Sequence, residues 1–148
     1  MVAAADSRKD LTTTIHLTAL RSVESSLSRL IQDSGPELIE VLNALGDDAA
    51  MLVSLIGPNK GARFLLEPEV THIGRATANE IFLDDVTVSR KHAQVVKSGK
   101  SYILTDLGSL NGTYLNGELV SERSLADGDE LQIGKFRMHF FKGGKVRA

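Results

Sequence analysis

The sequence predicts an all-β fold, an antiparallel β-sandwich, preceded by a short segment with one or two amphipathic helices. Three observations carry this expectation. After residue 50, short apolar or alternating runs rich in branched and aromatic residues follow one another: MLVSLI, ARFLL, IFL, HAQVVK, SYILTD, TYL, ELQI and FRMHFF. Turn signals separate them, among them Gly57-Pro58-Asn59-Lys60-Gly61, Ser98-Gly99-Lys100, Asp127-Gly128-Asp129 and Gly134-Lys135. No helical periodicity lies between the runs, which argues against parallel strands joined by crossover helices.

Taken in order, residues 1–14 read as a disordered tail ending in the cluster Thr12, Thr13 and Thr14. Residues 15–48 read as a helical segment. Leu17, Leu20, Val23, Leu27, Leu30 and Ile31 recur at helical spacing, and Ser34-Gly35-Pro36 then interrupts, with Pro36 suited to a first helical turn. Leu38, Ile39, Val41, Leu42 and Leu45 form a second stripe, with Gly46 as its expected terminator and Asp47-Asp48 as an acidic joint. Residues 49–142 hold the strand pattern, and 143–148 form a basic tail expected to be solvated. Within the β region, Asn116-Gly117 fits a two-residue type I′ hairpin, in which both positions need positive φ.

Composition excludes several classes of function. At 42% hydrophobic and 24% charged, the chain has the balance of a soluble globular protein. A net charge of −2 and the absence of a basic, aromatic face argue against nucleic acid and acidic membranes, so any anion site must be local. The absence of cysteine removes disulfides, thiolate chemistry and the usual structural zinc sites. His16, His72, His92 and His139 show no metal-ligand spacing, and no cofactor is expected. No apolar run approaches the roughly 20 residues of a membrane span, and the first residues lack the apolar core of a signal peptide, so the expected location is cytoplasmic.

The chemistry gathers in loops. VTVSRKHAQV places Ser89, Arg90, Lys91 and His92 at the centre of a strand-like run, where buried cations would be costly, so these residues suit an exposed loop that binds something negative. Three further segments are alike in kind: Gly74-Arg75, Ser109-Leu110-Asn111-Gly112-Thr113, and Asn116-Gly117. Alternate loops of a sandwich collect at one end, where they can converge on a ligand. Arg75 and Arg90 offer planar charged forks that match phosphate oxygens. Ser89 and Ser109 offer hydroxyls, and Asn111 carries both donor and acceptor, so it can bracket a peptide backbone. Cations, hydroxyls and a bracketing amide, with no nucleophile–base pair, describe a binder of a phosphorylated peptide and not an enzyme.

The order G-R, S-R-x-H and S-x-N-G-T from Gly74 to Thr113, followed by L-x-x-G-D (Leu125 to Asp129) and Ile133-Gly134, resembles the forkhead-associated (FHA) domain. The resemblance implies a β-sandwich of about eleven strands and phosphothreonine in an extended segment as the ligand. It gives the phosphate to Arg75 and Ser89 and the backbone beside the phosphothreonine to Asn111. Arg90, Ser109 and Lys91 become supporting contacts. His92 becomes a structural buttress, Gly74 and Gly112 set loop geometry, and Thr113 closes the motif. A small pocket for the threonine methyl would contribute about 1–3 kcal/mol to the choice of threonine over serine.

IFLDDVTVSRKHA, DLGSLNGTYLN and GDELQIGKFR resemble more closely the small actinobacterial FHA regulators of 2-oxoglutarate dehydrogenase and glutamate metabolism. That resemblance implies partners: phosphothreonine proteins, a bacterial Ser/Thr kinase, and 2-oxoglutarate or glutamate dehydrogenase. It also implies self-inhibition, in which a phosphorylated threonine among Thr12–Thr14 docks into the chain's own FHA domain. A phosphate adds about −1.5 to −2 charges and suits an arginine pocket. The alternative reading is a constitutive, phospho-independent scaffold acting through the helical segment.

Overall fold

The computed structural model describes residues 26–147. The expected tail 1–14, with Thr12, Thr13 and Thr14, and the first part of the helical segment lie outside the described residues. Residues 26–33 are helical (α1) and Pro36–Ala44 form a second helix (α2). The break falls where the sequence places it. The Ser34 hydroxyl donates back to the Leu30 carbonyl (2.9 Å), Gly35 takes φ 95°, and Pro36 opens the next helix, where its missing N–H costs nothing. Gly46 is not the terminating cap. Leu45 ends α2 in extended conformation, and its carbonyl accepts the Gly144 N–H (3.1 Å) from the far end of the chain.

Eleven strands follow: β1 (Ala50–Ile56), β2 (Arg63–Leu65), β3 (Val70–Gly74), β4 (Ile81–Phe82), β5 (Ala93–Ser98), β6 (Ser101–Asp106), β7 (Thr113–Leu115), β8 (Glu118–Val120), β9 (Glu122–Ser124), β10 (Glu130–Ile133) and β11 (Phe136–Lys142). They form a six-stranded sheet in the order β2-β1-β11-β10-β7-β8 and a five-stranded sheet in the order β4-β3-β5-β6-β9. All pairings are antiparallel except one: residues 75–80 loop back so that the two-residue β4 runs parallel to β3. Asn116 (φ 52°) and Gly117 (φ 81°) make the two-residue turn closing β7 onto β8, as their residue types require.

The period-two pattern explains the two apolar clusters. Ala50 and Leu52 of β1 and Met138 and Phe140 of β11 point between the sheets, where Tyr102 packs its ring 5.3 Å from that of Phe140. Met51, Val53, Leu55 and Phe141 point the other way, and Ile31, Leu38 and Leu42 of the helices cover them. The continuous apolar run MLVSL is therefore a strand buried on both faces. The apolar stripe of the described helices packs on the outer face of the six-stranded sheet.

Arg147 reinforces this packing, while Gly144, Lys145 and Val146 are exposed. The Arg147 N–H donates to Asn43 Oδ1 (2.7 Å), Asn43 Nδ2 donates to the Arg147 carbonyl (3.0 Å), and the guanidinium lies 5.0 Å from the Phe141 ring centre. Arg147 Nη2 also reaches Asp127 Oδ1 (2.5 Å), a pair in which both side chains are mostly buried. Burial pushes the Asp127 carboxyl up, but the Arg147 bond, the Lys142 N–H and the Arg147 and Lys145 charges outweigh it and hold it below the usual carboxylate range. A depressed carboxyl contributes stability that is present above its unfolded value and lost as pH falls through the folded one. Asp127→Asn is expected to lower stability at neutral pH by about 1–2 kcal/mol, with the gap from the parent chain closing below about pH 4. Urea unfolding of both chains across that range checks it.

Candidate functional site

Register brings three loops to one end of the sandwich. Ile73, at the end of β3, pairs with Ala93, the first residue of β5, and Ala93 pairs with Asp106, the last of β6. The segments after β3 (75–80), before β5 (83–92) and after β6 (107–112) therefore emerge side by side. Backbone bonds knit them together. The Arg75 N–H donates to the Ser89 carbonyl (3.0 Å), the Ala76 N–H to the Arg90 carbonyl (3.2 Å), and the Leu107 N–H to the His92 carbonyl (2.9 Å).

His92 joins the second and third loops and is fully buried. Its Nδ1 accepts the Ser89 N–H (3.0 Å), which places the ring hydrogen on Nε2, and that nitrogen donates to the Gly112 carbonyl (2.8 Å). The buttress expected of His92 is thus a bond at each end of the ring. Gly74 lies so close to the Arg90 carbonyl that a Cβ would overlap it, and would stand 2.9 Å from Asn79 Nδ2. Backbone cannot yield there as a flexible side chain can. Gly74→Ala is expected to separate the first two loops and cost about 1–3 kcal/mol, read as a lower urea midpoint together with amide shifts at Arg75, Ser89 and Arg90.

The exposed groups are of the types that can bind an anion. Arg75 spends Nε on the Val88 carbonyl (3.2 Å), which fixes the side chain and leaves its terminal N–H groups for a ligand. The Ser89 hydroxyl accepts the Leu110 N–H (3.0 Å), which leaves its own hydrogen to donate outward. Arg90 and Lys91 are exposed, and among the described residues no carboxylate pairs with Arg75, Arg90 or Lys91. Asn111 donates one amide hydrogen to the Thr87 carbonyl (3.0 Å), keeping its oxygen and second hydrogen available.

Ser109 and Thr113 face inward. Asp106, which the sequence reading missed, gathers the third loop: it accepts the Ser109 hydroxyl, the Thr113 hydroxyl (2.7 Å) and the N–H groups of Gly108 (3.0 Å) and Ser109 (3.2 Å). Burial pushes the Asp106 carboxyl up, and these four donors more than offset it, giving a lowered pKa. The local signal was an Asp two residues before a Gly-Ser pair, the pattern of an Asx turn. Asn79 was missed as well; its Nδ2 ties the Ala76 carbonyl (2.7 Å) to the Arg90 carbonyl (2.9 Å).

Asn116-Gly117 does not join the other loops. β7 carries the chain away from the site, and Asn116 instead binds Asp129 Oδ1 (2.9 Å) and the Glu130 N–H (2.9 Å) at the opposite end. There it lines a recess with Leu27, Leu30 and His139. The fourth segment at the site is the β10–β11 turn, since Ile133 pairs with Thr113. Among the described residues no group of three or more His, Asp or Glu is placed to hold a metal, and no helix is long and apolar enough to cross a membrane.

A two-sheet sandwich whose β3–β4, β4–β5 and β6–β7 loops meet at one end, carrying Arg75, Ser89, Arg90, Lys91 and Asn111, is the arrangement of an FHA domain. The FHA domain profile matches residues 71–134, and the chain belongs to that family. It is 50% identical over 113 residues to the oxoglutarate dehydrogenase inhibitor of Corynebacterium jeikeium, covering 76% of each chain. It is 46% identical over 121 residues to the glycogen accumulation regulator GarA of Mycobacterium tuberculosis, covering 82% of this chain and 75% of that one. Among solved structures, a domain from an analysis of phosphothreonine-dependent FHA interactions superposes with a TM-score of 0.59 at 31% identity, covering 63% of this chain and 95% of that one.

Proposed function

We infer that the chain is a phosphothreonine-reading regulatory protein, a binder and not an enzyme. The observation that carries this is the state of Arg75 and Ser89. Each is fixed by one bond to a neighbouring loop, and each keeps donors that no described residue engages. Preorganised donors to a dianion, held by a scaffold that need not reorganise, are what a phosphate site requires. Arg90 and Lys91 add charge at the rim. Asn111 takes the backbone of the bound segment, while Ser109, His92, Gly74, Gly112 and Thr113 hold the loops.

The name of one relative, an oxoglutarate dehydrogenase inhibitor, points to a central-metabolic dehydrogenase as partner, and in this reading a bacterial Ser/Thr kinase supplies the phosphate. Residues 49–142 form the reading unit in this scheme, and the described helices lie on the outer face of its six-stranded sheet. A scaffold led by the helices is less favoured, because the apolar stripe of the described helices is covered by β1 and β11. Calorimetry on the whole chain, with a phosphothreonine peptide array and its dephosphorylated copies, tests the reading. Binding only of phosphorylated peptides supports it; equal binding of both overturns it.

A further inference from the structure

The β10–β11 turn reaches the site from the opposite sheet. At Gly134 a Cβ would stand 2.9 Å from both the Thr87 carbonyl oxygen and a Val88 methyl, so the turn lies directly on the β4–β5 loop. Lys135 then grips that loop twice. Its N–H donates to Thr87 Oγ1 (3.1 Å), and its Nζ pairs with Asp85 Oδ1 (2.6 Å). The other Asp85 oxygen accepts the Thr87 N–H (2.9 Å) and the Thr87 hydroxyl (2.5 Å). The hydroxyl thus donates to Asp85 and accepts from Lys135, which fixes both of its roles. The carbonyl of the same Thr87 holds the Asn111 side-chain amide.

The chain of contacts runs from Lys135 through Asp85 and Thr87 to Asn111. An asparagine amide turns readily about χ2, so anchoring one hydrogen selects which group faces outward. Asp85 is suited to the anchoring role: its side chain is 14% exposed. The Lys135 and Thr87 bonds pull its pKa down to about 2, so it remains a carboxylate.

We propose that Asp85 and Lys135 are positioning residues for peptide recognition, locking Thr87 so that its carbonyl orients Asn111 toward the backbone of the bound segment. The proposal rests on the reading of Asn111 as a backbone bracket. It separates two parts of the site: Arg75 and Ser89 take the phosphate, while the pair from the second and fourth loops tunes how the flanking peptide is held.

The test uses the whole chain, the tightest-binding peptide from a phosphothreonine array, and inorganic phosphate as a second probe. Asp85→Asn and Lys135→Met are each expected to weaken the peptide about three- to tenfold, with melting temperatures lowered, most for Asp85→Asn, but the fold kept at the titration temperature. Phosphate-induced amide shifts at Ser89 should keep their midpoint. In an Asn111→Ala background, Asp85→Asn should have no further effect, because the group it positions is gone. Losses that multiply in the double variant, or a phosphate midpoint that worsens as much as peptide affinity, would overturn the positioning role while leaving Asn111 as a contact. An Asn111→Ala chain that binds the peptide normally would remove both the bracket and the proposal.

Discussion

Arg75→Ala is expected to lose phosphothreonine-peptide binding by about 2–5 kcal/mol, the usual range when one partner of a hydrogen-bonded charge pair is truncated. The melting temperature should not change. The side chain is exposed, and its one intramolecular bond is Nε to the Val88 carbonyl, so little folding energy depends on it. Arg75→Lys should recover only a small part, because an ammonium cannot both bond Val88 and present a planar fork. Ser89→Ala is expected to weaken binding less, since it removes one neutral hydroxyl, and it also frees the Leu110 N–H that the hydroxyl now accepts. Calorimetry with phosphorylated and unphosphorylated peptide, beside thermal melts, separates these effects. Arg75→Ala binding like the parent chain would place the phosphate elsewhere on the loops.

His92→Ala is expected to damage fold and site together. The ring is fully buried and bonds the Ser89 N–H and the Gly112 carbonyl. Removing it leaves a cavity and two backbone groups without partners, at a combined cost of about 2–4 kcal/mol. Ser89 and Asn111 sit on the two loops it joins, so affinity should fall although His92 touches no ligand. His92→Gln, with one acceptor and one donor at its end, should restore part of both. Urea unfolding and peptide titration on the same variants check this. Stability lost with affinity kept would mean that the Leu110–Ser89 and Arg75–Ser89 bonds are enough to align the loops.

The sequence by itself determined what depends on near neighbours. Strand runs and their turns, the break at Ser34-Gly35-Pro36, the positive φ of Asn116 and Gly117, and the ordered Gly74, Arg75, Ser89, His92 and Asn111 motif could all be read before any coordinates. Each follows from side-chain period, turn stereochemistry or the family resemblance.

Only the tertiary structure decided which turns meet. β7 carries Asn116 to the far end, while pairing of β10 with β7 brings Gly134 and Lys135 onto Thr87. The end a turn reaches depends on strand length and register, which pairing across the sheet sets and local composition does not reveal. The same holds for the direction of a hydroxyl. Ser89 and Ser109 look alike in sequence, but Asp106 draws the Ser109 hydrogen inward, while the Ser89 oxygen accepts a neighbour's N–H and keeps its hydrogen for a ligand. Arg147 looks like a tail residue until Asn43 and Asp127, distant in sequence, bond it beside Phe141. A hydrogen bond needs two partners at about 3 Å, and only the folded chain brings such partners together.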